Sequence, residues 1–230
     1  MDLEIFIRGN TAITAPPLVP EIRLHLATEI TPLWQATEDT LARSPLPPPF
    51  WAFAWAGGQA LARYLLDYPD QVAGRFVLDF GAGSGLVAIA AAKAGAGFVL
   101  AAETDHFAAA AIAANAALNE VAIAVTTNDL IGTADLRWEV IIAGDVCYEQ
   151  PMAGRVAAWL RALAKSSRLV LLGDPGRAYL PAKGLCERAR YLVATSRDLE
   201  DRETRDGVVW QVLPDWGTKR RRRADVVGAP

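Results

Sequence analysis

The stretch VLDFGAGSGL at residues 77–86 decides the fold. Val77 to Phe80 read as a buried strand, and Gly81, Gly83 and Gly85 then turn the chain into an alanine-rich helical segment. Glycines in such a turn let a ligand touch the backbone. Outward from it, short β-branched runs alternate with longer helical stretches, the pattern of a parallel sheet covered by helices. The spacing predicts strands at Phe76–Phe80, Phe98–Ala102, Ala122–Thr126, Val140–Ala143 and Arg168–Leu172, with helices at Leu86–Ala94, His106–Asn119 and Met152–Ser166. Tyr191–Arg197 and Gly207–Leu213 read as two further strands. The charged turn RDLEDRETRDG between them is too short for a crossover helix, so this pair is antiparallel. The fold class is α/β, a doubly wound, Rossmann-like seven-stranded sheet with an antiparallel end.

Residues 1–74 differ in kind and read as an N-terminal helical cap on the sheet domain at 75–218. They open on a weak strand at Leu3–Ile7 and a short helix starting near Pro20 that includes Ile22, Leu24 and Leu26. The breaker SPLPPPFWAFAWAGG at 44–58 then leads into the helix GQALARYLLD, whose Leu61, Leu65 and Leu66 share a face.

The chain has 230 residues and a formal net charge of −3. Residues 219–230, KRRRRADVVGAP, hold five basic residues against Asp225, a net of +4, which leaves −7 on residues 1–218. The tail reads as solvated disorder, with nucleic-acid contact as its rival use. Two cysteines, Cys147 and Cys186, are too few for a disulfide framework or a four-ligand zinc site. No apolar run approaches the roughly 18 residues of a bilayer span. The opening MDLEIFIRGN has neither signal-peptide nor transit-peptide character, so a cytoplasmic protein is expected.

The ligand of the glycine loop follows from its charge. A dinucleotide fingerprint, G-x-G-x-x-G from Gly81, would need glycine where Leu86 stands. Asp79, two residues before Gly81, would also repel a pyrophosphate. S-adenosylmethionine has no phosphate, and its ammonium can be served by such an acid. The cofactor's carboxylate can use helix N–H groups near Ser84 and Gly85. At the second strand end, in AAETDH, Glu103 is chosen over Asp105 to accept both ribose hydroxyls, with Thr104 between them. Asn128 or Asp129 after the third strand can accept from the adenine amino group. In AGDVCYE after the fourth, Asp145 can approach donor and acceptor, and Tyr148 can supply a hydrogen bond or an aromatic wall. Val146 and Cys147 stand where nucleobase methyltransferases of this fold carry prolines, which disfavours a nucleobase acceptor.

On LVPEIRLHLATE (18–29), PFWAFAWAGGQALARYLLD (49–67), VLDFGAGSGL, GDVCY (144–148) and LLGDPGR (171–177), the chain resembles class I, seven-β-strand S-adenosylmethionine-dependent methyltransferases. More narrowly, it resembles the lysine methyltransferases of the electron transfer flavoprotein beta subunit, in the group sometimes called family 16. The resemblance implies S-adenosylmethionine as cofactor and a protein lysine as acceptor. It implies that Trp55, Gly57 and Gly58 border the cofactor and that Asp79, Gly81 and Gly83 line its methionine end. Glu103 would hold the ribose, Asp145 and Tyr148 would form the acceptor site, and Asp174 to Arg177 would shape its rim. Animal members carry a mitochondrial leader that is missing here, and many relatives have proline at the position of Ala56. A small-molecule N-methyltransferase and a ribosomal-protein methyltransferase are the alternatives of the same fold; the L11 type uses an Asn-Pro motif at the fourth strand. Without a metal, Asp145 would align the amine, and Trp51, Phe53, Trp55 and Tyr148 would hold the methylated product by cation–π contact.

Overall fold

A computed structural model describes residues 2–35, 48–135, 137–215, 217 and 221–222. Residues 44–47 of the proline-rich breaker lie outside them. Its centre is a mostly parallel sheet of β3 (Phe76–Phe80), β4 (Phe98–Ala102), β5 (Ala124–Thr126), β6 (Val140–Gly144) and β7 (Leu169–Asp174), completed by β8 (Leu185–Ala194) and β9 (Thr204–Val212). The spatial order is β8-β9-β7-β6-β3-β4-β5, with β9 inserted antiparallel between β7 and β8. Because β3 pairs with β6 on one side and β4 on the other, the chain reverses its winding beside the glycine loop. Ligands of open α/β sheets bind at such a switch point.

Alternation along the strands loads both faces. Val77, Ile142 and Leu171 face α3 (Ala56–Asp67) and α4 (Leu86–Lys93), joining a core with Leu61, Leu65 and Val209. Leu78, Ile141 and Leu172 face the other way, onto Val156, Leu160 and Leu163 of α6 (Met152–Lys165). Helix α5 (His106–Leu118) follows β4, capped by the Asp105 side chain. Helix α3 lies close on the sheet: a Cβ added at Gly173 of β7 would come within 2.2 Å of the Gly57 carbonyl oxygen.

Four local expectations are corrected. Leu3–Asn10 is a helix, α1, where a weak strand is expected at Leu3–Ile7. The Asp2 carboxylate accepts from the N–H groups of Glu4 and Ile5, and Glu4 pairs with Arg8 one turn on. These local bonds favour a helix over isolated extended backbone. Around Ile22, the expected helix is instead a strand, β2 (Leu24–Leu26), antiparallel to β1 (Ala12–Thr14). The spacing of Ile22, Leu24 and Leu26 has period two, and all three are buried against Leu86 and Ile89 of α4. A single turn, α2, follows at Pro32–Gln35. Third, β8 begins at Leu185, six residues before the expected strand, and the charged turn holds a one-turn helix, α7 (Arg197–Glu200). Cys-Glu-Arg-Ala-Arg hides the strand because its buried acid Glu187 is matched by Arg190 at 3.0 Å. Where the basic tail is expected to be disordered, Arg221–Arg222 form β10, a two-residue edge strand parallel to β8; residues 223–230 lie outside the described ones.

Candidate active site

The glycine loop rests on β4: Gly81 and Ala82 donate to the Ala102 carbonyl, at 2.9 and 3.3 Å. Gly81, Gly83 and Gly85 all have positive φ, 65°, 53° and 81°, a region that residues with a Cβ rarely adopt. In front of the loop lies a cavity of about 560 Å³, bounded by the carboxyl ends of β4, β5, β6 and β7 and by the aromatic segment before α3. That volume falls in the range of small-ligand sites. Gly81, Gly83, Glu103, Thr104, Asn128, Asp129, Asp145, Tyr148, Trp55 and Arg177 line it. Three expected neighbours do not. Gly57 is packed on Gly173, Gly58 faces Asp145, and Asp79 lies beneath the loop. The Gly85 N–H, expected to serve the cofactor's carboxylate, instead donates to the Ala82 carbonyl.

At one end, Glu103 accepts from the Gly83 N–H at 3.0 Å and from the Asp105 N–H at 3.2 Å. Each of its oxygens therefore keeps a lone-pair direction for a ligand hydroxyl. Burial raises its pKa, opposed by those N–H groups. Asp105 caps α5 by accepting from the Phe107 N–H at 2.8 Å. Asn128 and Asp129 are both exposed, and Asp129 pairs loosely with Arg155 at 3.3 Å. Glu103→Ala is expected to weaken S-adenosylmethionine binding by at least tenfold, since hydrogen bonds to a charged group contribute about 1.5–3 kcal/mol each. An unchanged calorimetric affinity would remove Glu103 from the ribose contact.

Asp79 is the acid beneath the glycine loop. It is fully buried, and neither carboxylate oxygen has a partner at hydrogen-bonding geometry. Burial pushes it from 3.8 up to about 8; the field of the Ala88 N–H opposes the rise and the Glu103 charge adds to it. A group whose folded pKa exceeds its unfolded value stabilises the fold fully below the unfolded pKa, and this contribution is lost as pH climbs through the folded one. The window here runs from about pH 4 to about pH 8. The ligand-free protein should therefore lose melting temperature as pH rises from about 5 to about 8, and Asp79→Asn should flatten that slope. Parallel melting curves for the two proteins would refute it. The same carboxylate suits an ammonium, so the residues present fit the methionine end of S-adenosylmethionine.

At the other end stands Asp145, buried, with a left-handed backbone at φ 56°. Its Oδ2 accepts from the Gly58 N–H at 2.7 Å, and its Oδ1 accepts from Arg177 Nη2 at 2.8 Å and Nε at 3.1 Å. Burial pushes Asp145 up to about 7 against the pull of Arg177, while Asp174 behind it adds to the rise. Arg177 also donates to both oxygens of Glu200, at 2.8 and 3.0 Å, and lies 5.4 Å from the centre of the Trp55 ring. Trp55 itself donates to the Phe50 carbonyl. Tyr148, 41% exposed, meets Phe50 edge to face at 5.6 Å. The expected aromatic group is thus rearranged: Phe50, Trp51, Trp55 and Tyr148 line the cavity, and Phe53 stands behind Trp55. Glu200 carries no local motif and could not be found from its neighbours in sequence. The Arg177 side chain reaches Asp145 because β6 and β7 are adjacent.

The sheet order, the switch-point cavity and the acids at its strand ends define a class I S-adenosylmethionine-dependent methyltransferase. The fold is similar to that of magnesium protoporphyrin IX methyltransferase from Synechocystis PCC 6803, solved with bound SAH, at TM-score 0.51 and 18% identity, covering 69% of this chain and 83% of that one. The electron transfer flavoprotein beta subunit lysine methyltransferase of Xenopus laevis is 38% identical over 91% of this chain and 86% of its own. Those of Danio rerio and Homo sapiens are 42% and 34% identical, over 77% and 94% of this chain and 69% and 82% of theirs. The chain belongs to the electron transfer flavoprotein beta subunit lysine methyltransferase family. A family model for the ribosomal protein L11 methyltransferase (PrmA) also matches residues 60–146, the shared loop and first strands.

Proposed function

We propose that this protein transfers methyl groups from S-adenosylmethionine to lysine side chains of the electron transfer flavoprotein beta subunit. The observation that carries the reading is the acceptor end of the cavity, where buried Asp145 lines the same cavity as the touching rings of Phe50 and Tyr148, a combination of acid and aromatic wall that suits an amine side chain. The bound cofactor supplies a methyl group on a positively charged sulfur. The protein's part is to hold donor and amine in line at about 3 Å and to exclude water. The amine lone pair forms the new N–C bond as the C–S bond breaks toward sulfur, and the surplus proton leaves to solvent. Only about one lysine in 2,500 is neutral at pH 7, so the acceptor end must favour the neutral form.

Gly81 and Gly83 take the methionine end, with Asp79 acting on it through its charge from beneath the loop, Glu103 with Thr104 the ribose, and Asn128 or Asp129 the adenine; Trp55 walls the site, and Gly58 acts through Asp145. Asp145 and Tyr148 carry the acceptor side. The acidic charge of residues 1–218 favours approach of a lysine-rich loop over a phosphate backbone. A cytosolic setting suits two cysteines that form no disulfide. No helix among the described residues is long and apolar enough to cross a membrane.

The test is incubation with labelled cofactor and recombinant electron transfer flavoprotein, alongside ribosomal protein L11 and small amines. Label on beta-subunit lysines, located by mass spectrometry, is expected. Label on L11 or small amines alone would overturn the reading.

A further inference from the structure

The carboxylate that should align the amine is already paired. Both Asp145 oxygens accept hydrogen bonds, one from the Gly58 backbone and one from Arg177. Arg177 joins Asp145 to Glu200, and Glu200 in turn pairs with Arg205 at 3.3 Å. Four groups, from the loops after β6 and β7, from α7 and from β9, form an alternating chain, Asp145, Arg177, Glu200 and Arg205, with no net charge. Glu200 is buried and Arg177 lines the cavity, so the chain reaches from the acceptor end into the β8–β9 side of the fold.

This pairing addresses a difficulty in the chemistry. A bare carboxylate beside the target amine would favour the ammonium and raise its pKa by about 1–3 units, cutting the reactive neutral fraction tenfold for each unit. A guanidinium on that carboxylate cancels the effect, and its own positive charge disfavours a second cation beside it. We propose that Arg177 is a positioning residue that discharges the acceptor end, so that Asp145 orients the target lysine without trapping it as an ammonium. The inference rests on the lysine acceptor proposed above. Other charges facing this end are Tyr148, with Glu149 beside it, Asp174 behind Asp145, and Glu103 across the cavity. Asp105, Asp129 and Arg155 face the opposite end.

The test is the pH dependence of turnover on the flavoprotein beta subunit at saturating cofactor. Arg177→Gln should move the acidic limb upward by about one pH unit or more, lowering kcat about tenfold at pH 7.5 with recovery toward pH 9.5. Its KM for the protein substrate should stay level or fall, because the substrate ammonium takes the guanidinium's place against Asp145 and keeps it ionised. Arg177→Lys, which keeps the charge, should restore the wild-type limb. Glu200→Gln should move the limb the other way, to lower pH, and this arm stands if Arg177→Gln does not fold. A uniform loss at every pH, an unmoved limb in Arg177→Gln, or an upward or absent shift in Glu200→Gln would overturn the inference. Wild-type protein that labels no beta-subunit lysine at any pH would instead overturn the functional reading beneath it.

Discussion

Asp145→Ala is expected to stop methyl transfer, by at least about a hundredfold in kcat, while S-adenosylmethionine still binds. The magnitude follows from geometry: misplacing a reacting group by about 1 Å costs on the order of 10²-fold. Asp145 stands at the acceptor end, and the contacts proposed for the cofactor lie at the strand ends and loop across the cavity from it. The substitution also removes the acceptor of the Gly58 N–H and one of the two carboxylates that hold Arg177. Since Glu200 continues to pair with Arg177, the cost is smaller than for a wholly orphaned buried charge, about 2 kcal/mol. At roughly 2–4 °C per kcal/mol for a domain of this size, melting should fall by about 4–8 °C. The variant thus remains folded at 25 °C for calorimetry. Turnover within tenfold of wild type, on a substrate that wild-type protein labels, would remove Asp145 from the acceptor site.

The second large effect is at a residue that touches no ligand. Gly173→Ala should destabilise the protein by about 3 kcal/mol, near the upper end of typical overpacking costs, and lower melting by about 10 °C. The added Cβ would lie 2.2 Å from the Gly57 carbonyl oxygen, 2.8 Å from Leu61 Cβ and 2.9 Å from the Gly57 carbonyl carbon. Two of these are backbone atoms, so no rotamer change relieves the clash and α3 must lift from β7. That same approach brings the Gly58 N–H to Asp145. Activity should therefore fall together with stability, and cofactor should rescue less of the loss than in Glu103→Ala. A melting temperature within 2 °C of wild type would show that the helix can move at no cost.

Much of this architecture is legible residue by residue. Val140 to Ala143 and Leu169 to Leu172 are strands because unbroken apolar runs suit a sheet covered on both faces, and in Val77 to Phe80 only Asp79 interrupts such a run. Gly81, Gly83 and Gly85 mark the ligand-side turn because only that residue type enters positive φ freely. The acids Glu103, Asp129 and Asp145 fall at the cavity because in a parallel sheet all carboxyl ends lie along one edge. The N-terminal segment is less legible. Leu24–Leu26 is held as a strand by partners far away in sequence, the hairpin with Ala12–Thr14 and the Asn115 side chain that accepts from the His25 N–H at 2.7 Å. Leu185–Ala194 is obscured by charges whose partners make them tolerable in a strand.

Local pattern thus determines which segments are strands and which strand ends carry acids, since backbone preference and side-chain alternation are short-range. The state of those acids is a long-range matter. Whether Asp79 is buried without a hydrogen-bond partner, whether Asp145 is bare or paired, and whether Glu200 belongs to the site at all depend on adjacent strands, the lid of α3 and the β8–β9 hairpin. Desolvation and ion pairing act through space rather than along the chain, and residues 145, 177 and 200 meet only once β6, β7 and β9 are side by side.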